Sequence, residues 1–595
     1  MESTNPHILL LANPGMGHLI PVLELARRLL SHQSFKVTVF VVTTDHASVT
    51  NTQLLQSSPA APGSDDDEDG LLDIVLVPFI DVSDRVGPGV LFIEKIKATI
   101  LLSLPFLRTE ISKMESRRPT ALVVDIMGID ALGIADEFNM LKFVFITSNA
   151  WFLAVMLCTP EMDRKEIDEH VKNRKPLNIP GCKPLEFEDT TDVFFVDPND
   201  SAYQRYIYDI FKMSSTDGIL VNTWDELEPT SLKALRDAKK VPIYPVGPLV
   251  RPVKRSALCN EIIDWLDEQP KESVIYVSFG SGGTLSSQQV IELAWGLELS
   301  QQRFFWVSRP PTENDAAGSF LSLGNGSDDT PDYLPEGFLA RTQDRGLVVP
   351  TWAPQVEVLS HPSIGGFLTH CGWNSSMESI IEGVPMIAWP LYAEQKMNAN
   401  MLTEDIGVSI RVTRVKSDGV VGREEIRSMV GKILVDHQGR NIRTRIKELK
   451  KSAAKALDQG GSSYNSLIQS WEGLGLQLDR ADRGADLASG SDLDSELSPS
   501  PVNVRLSSTV SLRSPSPSAA VRRRLGIYTE AMARRLATSW TRGGRCSVGV
   551  ATKGGPVLSG MAQLLLEVMT FISTWPVLFD VICSTTNDGA GFEEI

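Results

Sequence analysis

The side chains able to do chemistry gather in two places. Between Trp352 and Gln395 the chain reads WAPQVEVLSHPSIGGFLTHCGWNSSMESIIEGVPMIAWPLYAEQ, an order of groups suited to gripping a nucleotide sugar from base to sugar. Trp352, after the short apolar run LVVP, offers a flat face on which a nucleobase can stack for about 1–3 kcal/mol. HCGWNSSMES reads as a loop turning into a helix, where Gly372 lets the backbone approach a phosphate and the free first-turn N–H groups point at it. His370, Asn374 and Ser375 add side-chain donors to the same diphosphate. Glu378, acceptor-only when ionised, suits a pair of ribose hydroxyls. Glu394 and Gln395, in the loop beyond the short strand MIAWP, suit sugar hydroxyls. Plainer roles exist for the same residues: Ser375 and Glu378 fit an S-x-x-E helix capping box, Trp352 a core aromatic, and His370 a satisfied buried imidazole.

The second place is NPGMGH, near the amino terminus. Deprotonating a phenol or alcohol near neutral pH needs a base whose pKa is close to ambient, and His is the default side chain. His18 stands in that loop beside Gly15 and Gly17, which let a substrate come close. Such a base needs an acceptor for its other ring nitrogen. Asp125, at the end of the apolar run ALVVD, is the candidate, with a helix N-cap as its alternative role. The run SDDDEDG (64–70) contains Asp-x-Asp, the spacing by which one class of transferases holds a divalent metal. It has no strand directly before it and reads as a solvated loop, so metal independence is expected.

Holding these groups requires a sheet. HILLLA, KVTVFVVTT and ALVVD are short continuous apolar runs, as buried parallel strands are. They alternate with helical spacing such as IPVLELARRLLSH, which predicts a doubly wound parallel α/β sheet whose strand-end loops form the ligand edge. In the second half SVIYVSFGSGGTLS is a strand and a Gly-rich loop that could cradle a phosphate with backbone amides. Leu285 stands where a G-x-G-x-x-G fingerprint wants its third Gly. The Pro-rich VPIYPVGPLVRPVKRS reads as an interdomain linker, giving a first domain over 1–247, a linker over 248–258 and a second domain over 259–478. Residues 160–217, Pro-rich and charged, read as an irregular lid or wall. GGSSYNSLIQSWEGL reads as a closing helix, about 463–474, capped by Ser463 and expected to pack back on the first domain.

The Trp352–Gln395 stretch resembles, without a gap, the signature box of plant secondary-product glycosyltransferases, an inverting family that uses UDP-sugars, and the resemblance runs to about Leu478. It implies two Rossmann-like domains facing a cleft (GT-B architecture), with the UDP-sugar on the second domain. It implies His18 as catalytic base and Asp125 as its partner. To the donor set of Trp352, His370, Asn374, Ser375, Glu378, Glu394 and Gln395 it adds Ala353, Gln355 and Trp373, with Ser281 at the diphosphate and Thr147 and Ser148 near the sugar. The terminal Gln395 goes, in that family, with glucose as donor. IPGCKPLEFEDT, DGILVNTWDELEP, YVSFGSGGTLS and TPDYLPEGF most resemble transferases acting on hydroquinone and on monolignols such as coniferyl alcohol. The implied reaction is glucose transfer from UDP-glucose to a small phenolic or phenylpropanoid hydroxyl, with no cofactor and no metal. The alternatives are a flavonoid or terpenoid transferase, a non-catalytic UDP-sugar-binding protein, and a dehydrogenase, which wants the full glycine fingerprint and an acid about twenty residues on.

At 595 residues, 42% hydrophobic and 22% charged, the chain is long enough for two or more domains. A formal charge of −17 argues against nucleic acid or an anionic membrane as main partner. Six cysteines without a CxxC fit reduced thiols, and MESTNPHILLLANPGMGH has no basic n-region. A cytoplasmic monomer is expected. From residue 479 the chain leaves the resemblance and becomes a Ser/Pro/Arg-biased stretch that reads as a disordered, dispensable tail. The apolar segment 557–584 within it is interrupted by Glu567, Pro576 and Asp580 and reads as no membrane span.

Overall fold

The computed structural model describes residues 6–32, 35–43, 71–82, 92–114, 118–253, 260–312, 333–350, 352–412 and 419–472. The acidic run 64–70, the end of the linker and everything beyond 472 lie outside these residues, and so do the expectations attached to them.

Two wholly parallel sheets carry the chain. The first consists of β1 (His7–Ala12), β2 (Lys36–Val42), β3 (Leu72–Val77), β4 (Ala121–Asp125), β5 (Leu141–Ile146), β6 (Gly218–Val221) and β7 (Ile243–Pro245), in the order β3-β2-β1-β4-β5-β6-β7. The second consists of β8 (Val274–Ser278), β9 (Arg303–Ser308), β10 (Gly346–Pro350), β11 (Ile364–Thr369), β12 (Met386–Ala388) and β13 (Ser409–Arg411), in the order β10-β9-β8-β11-β12-β13. Every residue of β1 is buried, because helices cover both faces. Leu9 and Leu11 enter one core, and Ile8 and Leu10 the other. The strand order reverses between β1 and β4, and again between β8 and β11. At such a reversal the connecting loops leave in opposite directions and open a crevice at the carboxyl ends. The segments bordering the two crevices carry Asn13 and Asp125 in the first sheet, Gly280 and His370 in the second.

Several local expectations need correction. His18 is not on a loop. The Gly15 carbonyl accepts from the N–H of both His18 and Leu19 at 2.9 Å, so the helix Met16–His32 is already under way at His18. The stretch VPIYPVGPLV is not all linker, since Ile243–Pro245 forms β7 beside β6. Pro is tolerated there because β7 is an edge strand. Residues 160–217 are not irregular throughout. Two helices, Arg164–Asn173 and Ser201–Ser214, start where Asp163 and Asp200 accept backbone N–H groups of the first turn. The closing helix spans Ser462–Glu472, and Ser463 lies inside it rather than capping it. Its hydroxyl donates to the Gly247 carbonyl at 2.5 Å. That helix brings Trp471 onto the first sheet, with ring centroids 4.8 Å from Phe143 and 5.9 Å from Phe35. Among the described residues no helix is long and apolar enough to cross a membrane.

Candidate active site

At the first crevice, β4 ends on Asp125, and its carboxylate divides its work between two atoms. Oδ1 accepts the N–H groups of Met127 (2.8 Å) and Gly128 (3.0 Å), capping the short helix Ile126–Ala131. Oδ2 accepts from Asn13 Nδ2 at 2.5 Å and lies 3.5 Å from His18 Nδ1. The capping and pairing roles open from sequence are therefore both filled. Thr147 Oγ1, just past β5, lies 3.3 Å from the same imidazole nitrogen. The Asp125 side chain is 1% exposed and His18 27%, so the carboxylate is sealed while the ring remains reachable. Burial pulls the imidazole below its ordinary value. The contact with Asp125 and its charge, helped by the charge of Glu394, outweigh that pull, and the net shift is upward.

At the second crevice, helix Trp373–Glu382 starts at Gly372 without any side-chain cap, so the S-x-x-E capping box is not formed. Instead Gln355 Nε2 reaches Ser375 Oγ at 2.8 Å and Glu378 Oε2 at 2.6 Å, which leaves the first-turn amides to a ligand. Glu378 is buried, and burial pushes its carboxyl up to about 7, against the Gln355 hydrogen bond and the charge of Arg251. His370 follows β11 and is pressed between two glycines: a Cβ on Gly280 would stand 2.5 Å from its ring, and one on Gly372 2.4 Å. Burial lowers His370 to about 4, so it stays neutral. Its Nδ1 is buried and meets no partner among the described residues. Ser281, exposed on the loop after β8, gives its carbonyl to Arg309. Trp352 is 56% exposed, free to offer its face, while Ala353 is buried beneath it in sequence. Gln395 is buried, with Oε1 accepting the N–H groups of Leu391 and Tyr392 at 3.0 Å each, which fixes the shape of the LYAEQ loop.

Trp373 departs from expectation. Its indole is 3% exposed and donates to the Asn222 carbonyl of the first domain at 2.8 Å, so the ring serves the interface between the domains. Asn149 Nδ2 to Asn398 Oδ1 at 2.6 Å and Ser148 Oγ to Glu394 Oε1 at 3.4 Å tie the same two domains together. Asn374 adds a bond of particular origin. Pro21 has no N–H, so the Gly17 carbonyl one turn earlier has no helical donor. Asn374 Nδ2 reaches that carbonyl at 3.2 Å, and its own Oδ1 is buried without a partner among the described residues. Asn374 thus sits with one atom on the helix that carries His18 and one facing no polar partner among the described residues.

Asn13, Asn149, Asn398 and Glu228 are absent from the sequence-derived candidates. Glu228 is buried and accepts the N–H groups of Ala150 and Trp151, which anchors the helix after Thr147–Ser148–Asn149. Asn13 had one legible signal: a polar residue immediately after a wholly apolar strand, at the edge where ligands bind. The others are polar residues inside helices or loops whose partners lie in another domain or far along the chain. Among the described residues no group of three or more His, Cys, Asp or Glu side chains is assembled to hold a metal ion.

A model of the family described as UDP-glucoronosyl and UDP-glucosyl transferase matches residues 246–428. UDP-glycosyltransferase 72E1 of Arabidopsis thaliana is 49% identical over 476 residues, covering 78% of this chain and 96% of the relative. Anthocyanidin 3-O-glucosyltransferase 5 of Manihot esculenta is 46% identical, covering 79% and 96%. Hydroquinone glucosyltransferase of Rauvolfia serpentina is 42% identical, covering 79% and 99%. Among solved structures, TcCGT1 in complex with UDP is similar with a TM-score of 0.70 at 43% identity, covering 78% of this chain and 98% of that one.

Proposed function

The chain belongs to the family of UDP-glucoronosyl and UDP-glucosyl transferases, and from that premise we propose that it moves glucose from UDP-glucose to a hydroxyl of a small phenolic or phenylpropanoid acceptor, of hydroquinone or monolignol type, with inversion. It is a glycosyltransferase of GT-B fold whose donor is a UDP-sugar. The observation that carries the reading is a short chain of contacts across the cleft. His18 Nδ1 is 3.3 Å from Thr147 Oγ1, and the next residue, Ser148, is 3.4 Å from Glu394 Oε1 at the sugar end of the donor stretch. These contacts support a reading in which base and sugar end face each other.

In this reading Nδ1 of His18 looks to Asp125, which leaves Nε2 to take the acceptor proton, and the Asp125 charge stabilises the imidazolium that forms. The acceptor oxygen bonds to the anomeric carbon as the bond from that carbon to UDP breaks. Attack from the face opposite the leaving group inverts the configuration. Trp352 stacks on the base, Glu378 accepts from the ribose, and Glu394 and Gln395 hold the sugar. Neutral His370, Ser375, Asn374 and the uncapped helix start at Trp373 meet the charge developing on the diphosphate, so no metal is required. Similarity to the hydroquinone enzyme supports the acceptor class. Similarity to the anthocyanidin enzyme, at higher identity, favours a flavonoid as second reading.

The test is purified protein with UDP-glucose, hydroquinone, coniferyl alcohol and an anthocyanidin, with and without a chelator. Glucosides are expected from the simple phenols, unaffected by chelation. His18→Ala should lower transfer by about 100-fold or more while UDP-glucose still binds. Wild-type rates in that variant would refute the base assignment.

A further inference from the structure

Asp125 and His18 lie on different elements, and one side chain touches the supports of both. Asn13, the residue after β1, is 1% exposed. Its Nδ2 donates to Asp125 Oδ2 at 2.5 Å. Its Oδ1 accepts from the Gly15 N–H at 2.8 Å, and the Gly15 carbonyl in turn accepts from the His18 N–H at 2.9 Å. The orientation of the amide follows from its partners, since only the nitrogen can donate to a carboxylate and only the oxygen can accept from a backbone N–H. A carboxylate at this position would supply two acceptors where one donor is required. An aliphatic residue would leave both the Gly15 N–H and Asp125 Oδ2 short of a partner in a buried place.

The geometry points to Asn13 as the positioning residue of the base: its amide nitrogen fixes the carboxylate, and its amide oxygen fixes the turn that delivers His18. This assignment rests on His18 being the base. It has two consequences. The first is alignment, because the dyad distance is set from one residue. The second is electrostatic. With Met127 N–H, Gly128 N–H and Asn13 Nδ2 all donating, the negative charge of Asp125 is shared among three neutral donors, which moderates its pull on the imidazole. The charges acting on His18 are Asp125, at the end of β4, and Glu394, from the second domain. Thr147, beyond β5, contributes a neutral hydroxyl.

Removing the Asn13 donor leaves Asp125 less compensated and strengthens its hold on the protonated ring. The acid limb of kcat/KM then moves to higher pH, because the base must be neutral to act. The experiment uses the full chain with Asn13→Leu, which keeps bulk, and Asn13→Ala, which adds none, beside His18→Ala. UDP-glucose affinity reports on the second domain, and the melting temperature on folding. Expected in each folded Asn13 variant are a loss of kcat of about 10- to 100-fold, an acid limb about half a pH unit or more higher, and donor affinity within about twofold of wild type. A limb left at the wild-type position, or a wild-type kcat, overturns the assignment and makes Asn13 an ordinary packing residue. If His18→Ala keeps its activity, the base reading itself fails. A dead His18→Ala beside wild-type-like Asn13 variants removes Asn13 alone.

Discussion

Lowering the pH should weaken donor binding through Glu378, and the size of the effect follows from its burial. The carboxyl is enclosed midway along helix Trp373–Glu382 and sits at about 7, raised by burial, partly offset by Gln355 and Arg251, and pushed further by Glu357. If ribose hydroxyls donate to it, only the ionised form receives them. The apparent Kd then scales as 1 + 10^(pKa − pH), about 1.1 at pH 8, about 2 at pH 7 and about 11 at pH 6. The loss from pH 8 to pH 6 is thus about tenfold, or about 1.4 kcal/mol. At pH 7 binding should release about half a proton, visible as a buffer-dependent enthalpy. Calorimetry with UDP-glucose is the right assay, because its diphosphate is esterified at both ends and does not titrate here, whereas the terminal phosphate of UDP does. Glu378→Gln should bind more weakly but with a flat profile. His18→Ala, which removes an imidazole whose pKa is also raised, should keep the slope. The sign for the empty protein is opposite. A carboxyl raised above its ordinary 4.5 binds more protons folded than unfolded, so its contribution to stability falls as pH rises from there to about 7. A wild-type Kd that is level between pH 6 and pH 8, or a Glu378→Gln variant that retains the slope, would refute this reasoning.

Gly372→Ala should weaken UDP-glucose binding about tenfold or more, because the added carbon would meet the His370 ring at 2.4 Å. The penalty should shrink in a His370→Ala background, and additivity of the two changes in a titration would contradict the clash. Trp352→Ala should cost about 1–3 kcal/mol of donor affinity through lost stacking, with kcat at saturating donor little changed; steady-state kinetics separates the two. Trp471→Ala should destabilise the first domain by about 3–5 kcal/mol in a urea melt, since it empties the space beside Phe143 and Phe35. Deleting 479–595 should leave kcat/KM and melting temperature as they are, and lost activity on truncation would give the tail a role.

The two sheets were legible because buried parallel strands must be apolar on both faces, and HILLLA, ALVVD and VIYVS leave little else to be. Both crevices were legible for the same reason: the chemistry-bearing residues directly follow those runs. What escaped was set by partners rather than by local pattern. Asn13 and Asp125 are separated by 112 residues, and nothing in NPGMGH announces that its first residue will face a carboxylate. The indole of Trp373, inside the most legible stretch of the chain, turned to Asn222, 151 residues away. β7 was hidden by the prolines beside it, which signal a linker in composition but cost nothing at the end of an edge strand.

The loop misreading at His18 has a deeper cause, and it bears on how the helix of His18 meets the second domain. Gly15 and Gly17 argue for a loop up to His18, ahead of the helical spacing that starts at Ile20, yet the helix already begins at Met16 and runs through Gly17 and Pro21. Gly15 lies at its start, where its carbonyl receives the first bonds. Pro21 stands far enough in that its missing N–H strands the Gly17 carbonyl. A stranded carbonyl near the protein surface would ordinarily turn to water. Here it faces Asn374, in the first turn of the helix that holds the diphosphate in the proposed mechanism, so the local defect becomes the acceptor for a bond between the two domains. Restoring the donor by Pro21→Ala would mend the helix and compete for that carbonyl. Pro21, the flaw in the first turns of this helix, is what lets it dock against the helix that follows Gly372, and a stronger helix former at position 21 should hold the turn bearing His18 less firmly against it.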